Sequence, residues 1–144
     1  MNKLRPIRFR GFNKKRGIWL YGNYILNRGA HFIAPQEFAD GKTWEDYEVE
    51  QESIGQYTGL TDKNGKEIYD GDIVSHPWKD PIFGDLVETG QFVHSTICFN
   101  NGAFVVNYRL QGEYIYLQDF VRLKCLEVVG NIHDNPELLK GGEQ

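Results

Sequence analysis

The dipeptide Asn64-Gly65 lies between two short runs, Gln56–Leu60 and Lys66–Tyr69, that alternate apolar and polar residues. Asn-Gly flanked in this way is the strongest short-range hairpin signal, because a two-residue type I′ turn requires positive φ at both central positions. The reading is two antiparallel strands joined at 64–65, the turn being of type I′. Asp70-Gly71-Asp72 then turns the chain into a third strand at Ile73-Val74-Ser75, cut by Pro77. A chain with this centre folds as β-sheet.

The flanking sequence agrees. Ile7–Arg10 reads as an opening strand and Phe12–Gly17 as a basic turn. Ile18–Leu26 reads as a strand bent at Gly22, and His31–Ala34 as a short strand stopped by Pro35. Residues 36–46 form a loop or a single helical turn anchored by Phe38 and Trp44. Phe92–Phe99 and Ala103–Tyr108 join through Asn100-Asn101-Gly102, a second hairpin. Gly112–Leu117 adds a strand, Asp119–Lys124 a helical turn capped by Asp119, and Leu126–Ile132 a buried last strand. Asn135-Pro136-Glu137 supplies an N-cap, a first-turn proline and a favourable acid, so Pro136–Leu139 is one helical turn. Residues 77–91 read as a long loop and the most mobile region.

The expected fold is all-β and mainly antiparallel: a small barrel-like C-terminal part, an N-terminal sheet and one or two short helical turns. At 144 residues the chain is one domain, with a natural subdivision at 1–54 and 55–144. Its 40% hydrophobic and 14% aromatic content is enough for a core without disulfide or metal. No apolar run is long enough to span a membrane and no signal peptide is recognisable, so a cytoplasmic setting is expected. Cys98 and Cys125 then read as reduced, structural cysteines.

Charge falls in blocks. Residues 1–36 carry +8 with no acid, residues 37–72 carry −8 and residues 73–144 carry −4. Three readings account for this: neutralisation of one block by the other inside the fold, a nucleic-acid surface on the basic arm, or a head-to-tail contact between copies. The first carries the most weight, because sequential elements usually lie close in space. The nucleic-acid reading uses Arg5, Arg8, Arg10, Lys14, Lys15 and Arg16 as phosphate contacts, with Trp19 or Trp78 as a stacking platform. Arg8 and Arg10 alternate with Ile7 and Phe9, so a half-buried strand also explains them without a ligand.

Catalytic and metal signals are weak. His31, His76, His94 and His133 are scattered, and no CxxC, HxH or HExxH pairing occurs. Asp62-Lys63-Asn64-Gly65-Lys66 has a superficial likeness to a calcium loop, but its glycine comes at position 4 and Ile73 stands at position 12. No GxSxG, Walker or GxGxxG motif is present. Asp70 and Asp72 are the one carboxylate pair worth naming, and Asp-Gly-Asp is mainly turn chemistry. No catalytic residue, metal or cofactor is assigned.

One resemblance is specific. Gly55, Gln56, Tyr57, Thr58, Gly59 and Leu60, followed by Asn64, Gly65, Ile68, Tyr69, Gly71 and Asp72, resemble the signature of the YopX family of phage and prophage proteins. Ile7–Arg10 resembles the family's opening strand, and Glu127–Leu139 (EVVGNIHDNPELL) its closing one. Phe12 stands where family members often have Trp. The resemblance implies a phage-encoded, cytoplasmic, mostly β protein, and brings no catalytic residues with it. Function then reduces to a non-enzymatic interaction protein, self-associating or bound to a host or phage protein, with a nucleic-acid-binding module as the alternative.

Overall fold

The computed structural model describes residues 6–77, 92–108, 113–122 and 124–140. These residues include ten strands and a few short helical turns, and the strands are mainly antiparallel. The chain divides into two compact units, Met1–Gly59 and Leu60–Gln144.

In the first unit, β1 (Phe9–Asn13), β2 (Ile18–Asn27) and β3 (Ala30–Ala34) form a meander, with β4 (Gly55–Thr61) beside β1. The opening strand begins two residues later than the alternation suggests and runs through Phe12, leaving Lys14–Gly17 as the turn. Register places Phe9 opposite Gly22 and Arg10 opposite Tyr21, so Arg10 and Phe9 lie on opposite faces. Gly11 lets another segment approach: a Cβ there would stand 2.8 Å from Val49. Gly22 does the same in β2, since a Cβ would meet the Ala34 carbonyl at 2.6 Å. Trp44–Tyr47 forms a single 3-10 turn whose Thr43 and Asp46 make a reciprocal capping box.

β4 crosses into the second unit at Leu60, and β5 (Glu67–Tyr69) follows it in sheet order. There β10 (Glu127–Asn131), β6 (Asp72–Pro77), β7 (Phe92–Asn100), β8 (Ala103–Tyr108) and β9 (Glu113–Tyr116) form the second sheet, in that order. Among the described residues this order is linear, so the barrel-like part of the expectation takes the form of an open sheet. Val74, Ile97, Val106 and Val128 come from four of its strands. They pack with Ile68, with Leu117 and Phe120 of α1 (Leu117–Arg122) and with Leu126 into one core. The helix starts at Leu117, so Asp119 is not its cap; it lies in the first turn and pairs with Arg122 at 3.3 Å. A short α2 (Glu137–Lys140) follows Pro136 as the sequence indicates.

Asn101 and Gly102 both have positive φ (50° and 83°) between paired Asn100 and Ala103, as do Arg28 and Gly29 (52° and 80°) between Asn27 and Ala30. Those two loops have the signature of type I′ turns. At Asn64-Gly65 only Gly65 is positive (83°), and the Asp62 N–H bonds the Lys66 carbonyl across a three-residue loop. The expected type I′ turn is therefore replaced by a longer hairpin with glycine in the left-handed position. The cause is Asp62, whose Oδ1 accepts the N–H groups of Asn64 and Lys66, both at 2.9 Å.

Candidate functional site

Arg5 and Trp78 lie outside the described residues. Of the other cations in the basic arm, Arg8 and Arg10 lie against aromatic rings within the first unit, while Lys14, Lys15 and Arg16 are exposed. The Arg8 guanidinium lies 4.4 Å from the centre of the Tyr57 ring, and that of buried Arg10 lies 5.0 Å from Trp19. Phe12 meets the same Trp19 ring edge-on at 5.6 Å, so the proposed stacking platform is already occupied on this side. Lys15 reaches Asp46 at 3.2 Å and Glu45 at 3.7 Å. Arg16 donates its backbone N–H to Asn13 Oδ1 and a guanidinium N–H to the Asp46 carbonyl. The Thr43 N–H, then Lys15, hold the Asp46 carboxyl below its usual range. Lys14 stands exposed at the turn. Basic and acidic blocks thus meet inside one unit.

The signature residues build framework. The Tyr57 N–H bonds the Arg8 carbonyl, and Gly55 and Gln56 pair with Arg10 and Phe9. Gly59 takes a φ of 87° beside Thr58, and Leu60 packs against the core of the second unit. Ile68 is fully buried there. Asp72, also buried, accepts the Tyr69 N–H at 2.7 Å, so its carboxylate closes the turn around Asp70 and Gly71. The Gly71 carbonyl in turn accepts the Ile132 N–H. The closing segment is a turn of the same kind: Asn131 Oδ1 accepts the N–H groups of His133 and Asp134, and Asn135 Oδ1 accepts that of Asn131. Gly130 leaves room for Asn135, whose Oδ1 a Cβ would meet at 2.5 Å.

One pair escaped the sequence reading. His76 Nε2 lies 2.8 Å from Ser95 Oγ, and Nδ1 lies 2.9 Å from the Pro77 carbonyl. A carbonyl only accepts, so Nδ1 carries the proton, and Nε2 accepts from the serine hydroxyl. Burial pushes the imidazole down to about 4. The pair has the hydrogen bond of a nucleophile and its base, yet His76 is 0% and Ser95 2% exposed, with Phe120 against the imidazole. It serves the core. Nineteen residues separate the two in sequence, and only the β6–β7 register brings them together. Among the described residues no three His, Cys, Asp or Glu side chains gather as a metal site.

Apolar side chains, by contrast, face solvent. Ile7, Tyr21, Leu26, Phe92, Phe99 and Tyr116 are each more than half exposed, and Trp44 is 50% exposed. Trp44 belongs to an aromatic cluster in the first unit, with Phe32 at 5.1 Å and Phe38 at 4.9 Å, and Phe38 in turn rests 4.5 Å from Tyr47.

The YopX protein family profile matches residues 8–140. This chain belongs to the YopX family. The match takes in both units and the framework turns described above. A solved structure, the crystal structure of protein EF1440 from Enterococcus faecalis, is similar in fold with a TM-score of 0.56 and 24% identity. That similarity covers 93% of this chain and 98% of the other. No curated protein matches the chain. Among the described residues of this YopX protein, no helix is long and apolar enough to cross a membrane.

Proposed function

We propose that this YopX protein is a phage-encoded, non-enzymatic interaction protein of the host cytoplasm that self-associates. The observation that carries the reading is a division of labour among its side chains. Its buried or conspicuous polar groups, Asp62, Asp72, His76, Ser95 and Asn131, hold backbone or each other. It also exposes large apolar side chains: Ile7, Tyr21 and Leu26 in the first unit, Phe92, Phe99 and Tyr116 in the second. Exposed aromatic and aliphatic side chains in such numbers suit protein contact, where aromatic anchors contribute most of the affinity. The nucleic-acid alternative draws less support, because Arg8, Arg10, Lys15 and Arg16 already have partners within the chain.

Light scattering of the purified protein at 50 mM and 500 mM salt tests this. Apolar association predicts an oligomer that survives high salt, because screening weakens charge contacts and leaves apolar burial intact. A monomer at both concentrations would remove self-association from the proposal.

A further inference from the structure

The aromatic cluster around Trp44 sits in the most acidic part of the chain. Residues 37–52 hold seven acids, Glu37, Asp40, Glu45, Asp46, Glu48, Glu50 and Glu52, against Lys42 alone. Asp46 is engaged by Lys15 and Thr43, and Glu45, 80% exposed, lies 3.7 Å from the same Lys15. Glu37 precedes Phe38, Asp40 follows it by two, Glu45 follows Trp44, and Glu48 bridges to Phe32 in a β-pair; all four are exposed. The buried members fix the arrangement. Tyr47 is 4% exposed, and its hydroxyl accepts the Ala39 N–H at 3.0 Å, tying the loop that carries Phe38 to the 3-10 turn that carries Trp44. Trp44 therefore stands on a braced platform with half its surface open, in a segment whose carboxylates at 37, 40, 45 and 48 are exposed.

We propose that this surface docks a basic segment of a partner protein, with Trp44 taking an arginine or lysine side chain on its ring and Glu37, Asp40, Glu45 and Glu48 meeting neighbouring cations. An aromatic ring attracts a cation through its negative face, and nearby carboxylates add to that attraction. The first unit already uses this contact internally, at Arg8 over Tyr57 and Arg10 over Trp19. The four carboxylates come from the loop, the 3-10 turn and the segment bridged to β3. Carboxylate acceptors spread in that way suit a peptide with several cations, whereas a single small ammonium would meet only one or two. Charge complementarity commits the site to a basic peptide and against nucleic acid. The proposal deepens the interaction-protein reading by giving it one surface and the chemistry of its partner.

The test is fluorescence anisotropy of a labelled nonapeptide carrying four arginines, titrated with the full chain at two salt concentrations. A counterpart with glutamine at those four positions is the control. The arginine peptide is expected to bind and the glutamine peptide not. Trp44→Ala should weaken binding by about fivefold or more, the range set by one cation–π contact. Glu37→Gln combined with Asp40→Asn and Glu45→Gln should weaken it and flatten its salt dependence. Trp44→Phe keeps a ring in the cluster, so intermediate binding from that variant separates ring loss from collapse of the loop. Equal binding of the two peptides, or affinity unchanged in both the Trp44→Ala and the charge variants, would overturn the site. Light scattering on the same samples distinguishes the failures. An oligomer that ignores the peptide sinks this site alone, and a monomer that binds it sinks self-association alone.

Discussion

Asp62 Oδ2 accepts the Val128 N–H at 2.9 Å, across 66 residues of sequence, while Oδ1 of the same carboxylate holds the hairpin turn. One buried acid thus fixes the signature hairpin and anchors β10 to it. Lys63 adds a backbone bond to the Leu126 carbonyl and an ion pair to Glu127 at 3.7 Å. A carboxylate satisfied by three backbone donors is worth far more as framework than as a calcium ligand.

Asp62→Ala leaves three N–H groups without their acceptor, one of them at buried Val128. It should lower stability by about 3 kcal/mol. Asp62→Asn keeps one acceptor oxygen and should lose less. Urea denaturation of the three proteins checks the order, and equal midpoints for wild type and Asp62→Ala would contradict the role.

His76 makes stability depend on pH. Its folded value is about 4 against 6.5 for the free side chain, so the unfolded chain binds the proton more readily. The contribution is fully present above pH 6.5 and is lost as pH falls towards 4. Between pH 7 and pH 5 the loss should be about 2 kcal/mol. In His76→Phe that part of the pH dependence should disappear, whatever the variant's stability at pH 7. Urea midpoints for both proteins across this window give the comparison, and parallel pH profiles would refute the assignment.

Gly11 is closely packed against a side chain of the first unit. A Cβ would press on the Cβ and both Cγ atoms of Val49, all within 2.9 Å. Gly11→Ala should cost about 2 kcal/mol by overpacking. Gly17→Ala is a different test, because nothing lies within 4 Å of its Cβ position and only its φ of 66° resists the change. Thermal melts should rank Gly11→Ala as the less stable of the two.

The basic arm gives a prediction with the opposite sign to its charge. Because Lys15 and Arg16 serve Asp46, the chain should show no salt-sensitive affinity for labelled single- or double-stranded DNA or RNA. The Lys14/Lys15/Arg16→Ala variant should differ from wild type in thermal stability and not in nucleic-acid titrations. Steep, salt-dependent binding that this variant abolishes would restore the nucleic-acid reading.

Local sequence was sufficient for the strands, for two hairpin positions and for the terminal helical turn at Pro136, because alternation, Gly/Asn turns and capping act over a few residues. It also sufficed for the family, whose signature at Gly55–Leu60 and Asn64–Asp72 is a run of turn and core positions. It did not determine which hairpin takes a type I′ turn, since Asp62 reshapes one of them through side-chain bonds that Asn-Gly alone does not encode. Nor did it reveal His76 beside Ser95, or Gly11 under Val49, which depend on strand register and on a distant segment crossing the sheet. The charge blocks are the clearest case. Their existence is written in the sequence, but only the tertiary structure sends Lys15 to Asp46 and Arg10 onto Trp19, because the energy of a charge depends on what stands within a few ångströms of it.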